Sequence, residues 1–382
     1  MPPMSTAPTL TGAAAFSQTY QEARAKFLAA ADAAGLAVQS HAHPMRGHDG
    51  EALAMDVVRD GPVNASALLL LSSACHGVEG FCGSGLQIAL LQDTAFRATA
   101  HQAGVAVLYV HALNPYGFSW WRRTTHENVD LNRNFQDFSQ PLPSNAAYDA
   151  LAHLIVPATW PPSPAVQQAV ANFIAANGDK AWQSAVSSGQ YHHPEGVFFG
   201  GHNPTWSRQT LHHVLQDHGQ RCARLGWIDF HTGLGPSGVG ERIFAYKNDA
   251  AALARARAWW GGPKCNDGSD GSGVTSIYDG SSSSALLTGL MWNAADTDCP
   301  QAEYTGIALE YGTQPVGQVL DALRADQWAE NHPELAAPQR RAIRRQVRDA
   351  FYTDTDAWKQ QVLDQGIEAA FQALRGLAGR VA

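Results

Sequence analysis

The pattern of apolar and polar residues predicts several short strands that are buried on both faces. Continuous apolar runs occupy residues 67–72 and 105–110, and shorter ones occupy residues 226–230 and 306–309. Runs of this length are typical of strands in a parallel sheet with both faces covered. Residues 83–92 have a helical pattern between the first two runs, which predicts a parallel βαβ unit.

The remaining pattern is mostly helical, with two segments that have the composition of loops. The predicted helices are residues 17–35, 165–177, 210–225 and much of the chain from 315 to its end. Residues 136–164 and 266–284 are rich in Pro, Ser, Gly, Asn or Asp and predict loops. Neither a repeat nor a composition break divides the chain. We therefore expect one large α/β domain, with a core over about residues 40–314 and a helical C-terminal extension over about 315–382.

Composition narrows the class of protein. The 382 residues carry a net charge of −8, which argues against nucleic acid as a partner. The longest apolar stretch, residues 65–75, is too short to span a bilayer, and residues 1–16 do not resemble a signal peptide. We expect a cytoplasmic protein without a membrane partner. Five cysteines do not suggest a disulfide framework, although a Cys265–Cys299 bridge stays open.

Metal-ligating and acid/base residues follow the predicted strands. His76 and Glu79 come after the first strand, Asn114 after the second, His231 after the third and Glu310 after the last. Ligands of open α/β sheets bind outside the carboxyl ends of the strands. A single histidine after a strand is usually structural, but here four elements deliver such residues to one sheet edge.

The spacing His76-x-x-Glu79 predicts a metal site completed by His231. Two imidazoles and one carboxylate are a known ligand set for catalytic zinc, which keeps one position open. The alternative is that Glu79 only stabilises a helix N-terminus, but this leaves both histidines unexplained. Asp229 lies two residues before His231 and is a candidate to support it from behind, or else a neighbour on the same sheet face.

A longer series of motifs resembles the zinc metallocarboxypeptidases of the carboxypeptidase A type. The matching segments, in the order of that family, are His76-Gly77-Val78-Glu79, Asn114-Pro115-Tyr116-Gly117, Trp121-Arg122-Arg123, Asp130-Leu131-Asn132-Arg133-Asn134-Phe135, Phe230-His231 and Leu309-Glu310-Tyr311. The resemblance covers about residues 67–313, and the Asp130–Phe135 stretch is its most specific part. Tyr116 departs from the family, which has Asp at that position.

The resemblance implies an α/β/α sandwich with a mixed, largely parallel central sheet and one zinc ion per chain. It implies that His76, Glu79 and His231 bind the zinc and that Glu310 is the general base and acid. Arg122 would polarise the scissile carbonyl. The implied substrate-binding residues are Asn132 and Arg133, which would hold a substrate carboxylate, and Tyr278, which would close over the substrate.

Three functions remain open at this point. The first is a zinc hydrolase that cleaves an amide or peptide bond beside a free carboxylate, with a small peptide as substrate. The second is an amidase of the same fold that acts on N-acylated amino acids, and the third is a zinc-binding protein without catalysis. Residues 136–207 either fold over the site as a lid or form a surface segment away from it. The oligomeric state is left open.

Overall fold

Eight strands form one mixed sheet at the centre of the molecule. The structure is a computed structural model that describes residues 12–262 and 273–379. The strands are β1 (Val38–Arg46), β2 (Ala52–Asp60), β3 (Ala67–Ser73), β4 (Val105–His111), β5 (Arg224–Ser237), β6 (Gly240–Phe244), β7 (Val274–Ser276) and β8 (Glu303–Gly312). Their order across the sheet is β1-β2-β4-β3-β5-β8-β6-β7.

The four central strands run parallel to one another, as their apolar runs predict. β3 pairs in parallel with β4 and β5, and β5 pairs in parallel with β8. β1, β2 and β6 join the sheet through antiparallel pairs. Every residue of β3 and β4 is buried, so helices or loops cover both faces of the sheet.

Thirteen α-helices surround the sheet in the described part of the chain. They are α1 (Tyr20–Ala33), α2 (Gly80–Gln92), α3 (Thr94–Gln102), α4 (Pro115–Trp120), α5 (Ala146–Ile155), α6 (Pro164–Asn177), α7 (Asp179–Ser187), α8 (Trp206–Gly219), α9 (Ala250–Trp260), α10 (Ala294–Asp298), α11 (Val316–Glu330), α12 (Ala337–Phe351) and α13 (Asp356–Leu377). Within the described residues, none of these helices has both the length and the apolar content needed to cross a membrane.

Side-chain caps fix where several helices begin. Thr19, Ser163, Thr205 and Thr355 each accept a hydrogen bond from a backbone N–H in the first turn of α1, α6, α8 and α13. These caps satisfy N–H groups that have no partner within the helix. The caps explain why α6 and α8 begin close to residues 165 and 210, where their patterns predict helix.

The C-terminal helices pack into the same structure as the sheet. Val362, Ala369 and Leu374 of α13 are buried in the main hydrophobic core together with β3 and β5. Helices α11 and α12 pack against each other and bury Val319, Leu323 and other residues in a second cluster. The stretch after residue 315 is helical as predicted, and it contributes to the core rather than only extending it.

Three parts of the structure differ from the prediction. Residues 136–164 are predicted as a loop but contain α5, whose capping residue Asn145 accepts a hydrogen bond from the Tyr148 N–H. Strands β1 and β2 have no counterpart among the predicted elements. The described part of the second predicted loop, residues 273–284, contains the edge strand β7. The possible Cys265–Cys299 disulfide cannot be placed, because Cys265 lies outside the described residues.

Candidate metal centre and active site

The carboxyl ends of four neighbouring strands meet at one edge of the sheet. β4, β3, β5 and β8 lie side by side, and the register places His231 of β5 directly opposite Glu310 of β8. Ser73 at the end of β3 lies opposite Phe230, so the chain after β3 emerges beside His231. This alignment brings together residues that are more than 230 positions apart in sequence.

His76, Glu79 and His231 converge on one buried point. Glu79 Oε1 lies 2.9 Å from His76 Nδ1, and Glu79 Oε2 lies 3.0 Å from His231 Nδ1. The two Nδ1 atoms are 3.3 Å apart. One potential ligand atom from each residue lies within 4.8 Å of the other two, which is compact enough to surround one metal ion. The side chains that the spacing predicts as ligands are therefore adjacent.

A carboxylate stands behind each histidine. Asp130 Oδ1 lies 3.3 Å from His76 Nε2, which also has Arg123 Nη2 at 2.7 Å, and Asp229 Oδ2 contacts His231 Nε2. Histidines that bind metals through one ring nitrogen usually donate the other N–H to a carboxylate, which fixes the ring and raises its basicity. The arrangement fits a metal held by both Nδ1 atoms and Glu79. Asp229 lies behind the His231 ring, which is one of the two positions that the sequence leaves open for it. The sequence indicates no position behind His76 for Asp130, although Asp130 begins the most specific motif.

Charge within the site shifts the acidities of its members. Burial opposes ionisation of Glu79, but the neighbouring imidazoles of His76 and His231 hold its pKa well below the usual range. Burial lowers the pKa of His231, yet Asp229 and Glu79 outweigh it and raise that pKa well above 6.5. Burial and the nearby Glu79 charge raise the pKa of Glu310 to about 8. Shifts of opposite sign at adjacent carboxylates are typical of functional sites.

The turn that carries His76 and Glu79 is fixed through its backbone. Gly77 N–H donates to the carbonyl of Arg123, and Val78 N–H donates to the carbonyl of Arg122. Gly77 is required here because a Cβ at this position would lie 2.1 Å from the backbone of Gly117. The Asn114 side chain holds the other side, since its Oδ1 accepts from Gly117 N–H.

Arg123, not Arg122, reaches the site, and this corrects the prediction for Arg122. The Arg122 side chain turns away and pairs with Asp326 of α11, with Nε 3.2 Å from Oδ2. Arg123 instead lines the cavity, with Nη1 3.2 Å from Glu79 Oε1 and Nε 2.9 Å from Asp130 Oδ2. The cause is local: Trp121 adopts a left-handed conformation (φ 55°) that ends α4 and redirects the chain.

Asn132 and Arg133, the predicted substrate-binding residues, line the same cavity as the ligand set. Arg133 is 2% exposed, and its Nη1 and Nη2 donate to the carbonyls of Asn132 and Ser187. Its Nε is buried without a hydrogen-bond partner, and among the described residues no carboxylate forms an ion pair with it. Burial lowers the pKa of this guanidinium. A buried cation without a carboxylate partner is expected to bind an anion.

Tyr278 does not reach the cavity in the structure. Its half-buried ring packs against the main hydrophobic core just after β7. The cavity wall is built by other aromatic residues that the sequence did not indicate, Phe198 and Trp292. Phe198 lies within the 136–207 segment, and its ring packs against the guanidinium groups of Arg123 and Arg133. Part of that segment therefore covers the site.

The cavity itself is small and mostly apolar away from the charged groups. Its volume is about 90 Å³. Leu320 and Leu323 of α11 and Phe351 of α12 form one wall, so the C-terminal helices contribute directly to the site. Glu310 faces the cavity with Oε1 held by the Leu234 N–H at 2.9 Å.

Cys75, Asp229 and His231 form a second compact group of potential ligands. This group shares two residues with the arrangement already described. Burial raises the pKa of the Cys75 thiol well above its ordinary value, so the thiol stays protonated. Cys75 is buried among the apolar side chains of the main core.

A comparison with models of protein families shows which family the chain belongs to. A family model with the description "Protein of unknown function (DUF2817)" matches residues 16–365. The chain belongs to the DUF2817 family. A search of curated protein sequences gives no significant match.

Solved structures with a similar fold include metallocarboxypeptidases. The carboxypeptidase A of Helicoverpa armigera is 13% identical, with a TM-score of 0.52 over 95% of this chain and 74% of that chain. A metallo-carboxypeptidase from Burkholderia cenocepacia is 13% identical, with a TM-score of 0.42 over 93% of this chain and 68% of that chain. The first of these confirms the predicted carboxypeptidase-like α/β fold for this DUF2817 protein.

Proposed function

We propose that this protein is a zinc-dependent hydrolase that cleaves an amide bond next to a free carboxylate. One observation carries the proposal: a single cavity combines a compact His₂Glu ligand set, the carboxyl group of Glu310 and the buried guanidinium of Arg133, which forms no ion pair with a carboxylate of the described residues. A ligand set, a base and an anion site in one cavity are the parts that such a reaction requires.

His76, Glu79 and His231 would hold the metal, with Asp130 and Asp229 supporting the two imidazoles. Nitrogen and carboxylate donors in a set of three suit zinc, which when bound lowers the pKa of water and polarises a carbonyl. The small apolar cavity restricts solvent around these groups, which strengthens every charge interaction within it.

Glu310 is the proposed general base and acid. The Leu234 N–H occupies its Oε1, so Oε2 is the atom available to accept a proton from the attacking water. The same atom can pass that proton to the nitrogen of the leaving amine. Glu310 stands opposite His231 in the sheet register, which keeps this carboxyl group beside the ligand set.

Arg123 and Arg133 have separate proposed roles. Arg123 lies beside the ligand set and would stabilise negative charge that develops on the carbonyl oxygen. Arg133 and Asn132 would bind the substrate carboxylate, for which a planar guanidinium is better suited than an ammonium group. The proposed substrates are small peptides, bound through their C-terminus, or N-acylated amino acids.

Replacement of Glu310 by Gln tests the catalytic assignment. Gln keeps an oxygen that can accept from the Leu234 N–H but cannot take a proton, so turnover should be lost while bound zinc stays near one per chain. Glu303→Gln is the matched control, because Glu303 begins the same strand and its side chain is 53% exposed. Full activity in Glu310→Gln would refute the mechanism.

A substrate panel separates the proposed activities. Peptides with free C-termini are compared with N-acylated amino acids, and each substrate is also tested with its carboxylate amidated. Loss of activity on amidation is expected for either class, because Arg133 then has no anion to bind. Zinc binding without hydrolysis of any member would instead indicate a non-catalytic zinc protein.

A further inference from the structure

The mouth of the metal cavity has an apolar rim. Val316, which is 43% exposed, lies here, and Leu286, which is 56% exposed, belongs to the segment that passes the mouth. Val316 lines the cavity, and Leu286 stands between Ala285 and Leu287, which line it as well. Exposed apolar side chains at the entrance of a site favour a ligand that covers them.

A groove continues outward from this rim. Gln183, Val316 and Leu320 line both the cavity and a neighbouring groove of about 750 Å³. The cavity, at about 90 Å³, is far below the roughly 300–1,000 Å³ of ordinary ligand sites, whereas the groove lies within that range. The groove therefore offers room for the part of a substrate that extends beyond its scissile bond.

One wall of the groove is an apolar helix without a buried residue. Helix α6 has the sequence PAVQQAVANFIAAN, yet none of its 14 residues is buried. Its Val170 and Ile174 line the groove together with Trp182 and Leu320, and they are partly buried against the second hydrophobic cluster. An apolar face left half-covered beside a binding cavity is a surface that a ligand can complete.

The groove offers little to a peptide backbone. Ten of the sixteen residues that line it are apolar side chains or glycine, and no described strand lines it, so it offers no strand edge to a peptide. Its polar members are Gln167, Asp179, Gln183, Asp321, Arg324 and Gln346. Arg324 uses its Nε and Nη2 on the carbonyls of Ile155 and Leu154 and its Nη1 on Asp321. A hydrocarbon chain can lie along the apolar majority of these residues without any hydrogen bond, whereas each amide group of a peptide would have to find one of the six polar side chains.

We propose that the groove binds the acyl chain of an N-acyl amino acid with a medium or long chain. This inference rests on the proposed function and names its substrate class. The amino acid carboxylate pairs with Arg133, the amide carbonyl lies at the metal ligands, and the acyl chain passes Val316 to lie along α6. Glu310 takes a proton from the attacking water, whose oxygen forms a C–O bond to the amide carbon. The C–N bond then breaks, Glu310 passes the proton to the leaving amine, and the products are a fatty acid and an amino acid.

The test is a series of N-acyl derivatives of one amino acid, from acetyl to tetradecanoyl, assayed on the zinc-loaded full chain. Each methylene that the groove buries should raise kcat/KM by about three- to fourfold until the groove is filled. Peptides with apolar residues before the scissile bond form a parallel series.

Val170→Asp should selectively reduce the gain from chain length. A carboxylate in the groove opposes hydrocarbon burial, so the ratio of kcat/KM for dodecanoyl over acetyl substrates should fall at least tenfold. Ala175→Asp is the matched control, because it puts the same charge on α6 at an exposed position that does not line the groove. Because α6 buries no residue, both variants are expected to fold.

The outcomes separate this inference from the proposed function. Hydrolysis of the acetyl substrate with no gain from longer chains refutes the acyl groove but leaves the hydrolase intact. A gain with apolar peptides and none with acyl chains assigns the groove to peptides and also refutes the inference. Hydrolysis of neither series refutes the proposed function, and the inference with it.

Discussion

Asp229→Asn tests the metal centre through a residue that is not itself a ligand. Asp229 is fully buried, its Oδ2 contacts His231 Nε2 and its Oδ1 accepts from Ser72 Oγ. Trp227 Nε1 donates to the same Ser72 Oγ at 2.7 Å, so a chain of buried side chains orients the carboxylate. Asn has the same shape but no charge, and it therefore supports the His231 ring less strongly as a ligand.

The expected loss is a 10- to 100-fold weaker zinc affinity, roughly 1.4 to 2.7 kcal/mol. The loss is limited to this range because only one carboxylate is neutralised. His76, Glu79 and the carboxylate of Asp130 beside His76 stay in place. Ser72→Ala should weaken zinc binding by less, since Asp229 keeps its charge and loses only one hydrogen bond. The assay is competition with a chelator of known affinity, with metal content measured after equilibration.

Asp60→Asn is the matched control. Asp60 is also buried, at 2% exposure, and pairs with Arg97 and His101 away from the cavity. Its replacement should lower the free energy of unfolding without a change in the zinc dissociation constant. A zinc affinity for Asp229→Asn within twofold of wild type, or an equal change in both variants, would refute the assignment of His231 as a supported ligand.

Two further predictions concern buried charge. Arg123→Ala should lower kcat by about 10²- to 10³-fold with zinc content unchanged. Arg122→Ala should instead lower the free energy of unfolding by about 3 kcal/mol, because it breaks the buried pair with Asp326. The reverse pattern in kinetics and urea unfolding would contradict the assignment of Arg123 to the site. Burial lowers the pKa of His111 from 6.5 to about 4. As the pH falls from 6.5 to 4, the unfolded chain therefore takes up a proton that the native chain does not, and the free energy of unfolding falls by up to about 3 kcal/mol. Urea midpoints at pH 7, 6 and 5 should fall more steeply for wild type than for His111→Gln, and parallel curves would contradict this.

The part of the fold that carries the site could be predicted from sequence. β3, β4, β5 and β8 are buried on both faces, so their apolar runs are continuous and easily recognised. Residues that follow such strands must lie at one sheet edge, whatever the details of the loops. This is why His76, Glu79 and His231 could be grouped before their geometry was known.

The outer strands could not be predicted in the same way. β1 is an edge strand in which only one of nine residues is buried, so its sequence VQSHAHPMR has no continuous apolar run. β2 is better buried, but Asp56, which pairs with Arg24, interrupts its apolar pattern. The buried ion pair that makes Asp56 acceptable inside the protein is a long-range contact, and a local pattern does not contain it.

The choice between Arg122 and Arg123 depended on a single backbone angle. Successive side chains leave the chain in different directions, so only one of the two can enter the cavity. A left-handed conformation is common for Gly but unusual for Trp, so nothing in the motif indicated the turn at Trp121. The motif located the arginine to within one residue, and the local backbone decided which one is used.

Helices α11 and α12 contribute to the site in two ways. Leu320 and Phe351 wall the cavity, while Asp326 holds the side chain of Arg122 in a buried cluster that also contains Arg344. The Arg122 carbonyl in turn accepts the Val78 N–H within the turn that carries His76 and Glu79. The charges of Arg122, Asp326 and Arg344 are paired only when all three residues are present. The ligand turn, which is bonded to the Arg122 backbone, therefore depends on residues about 200 positions away in the sequence. We therefore expect a chain shortened before α11 to lack both the cavity wall and the support of the ligand turn.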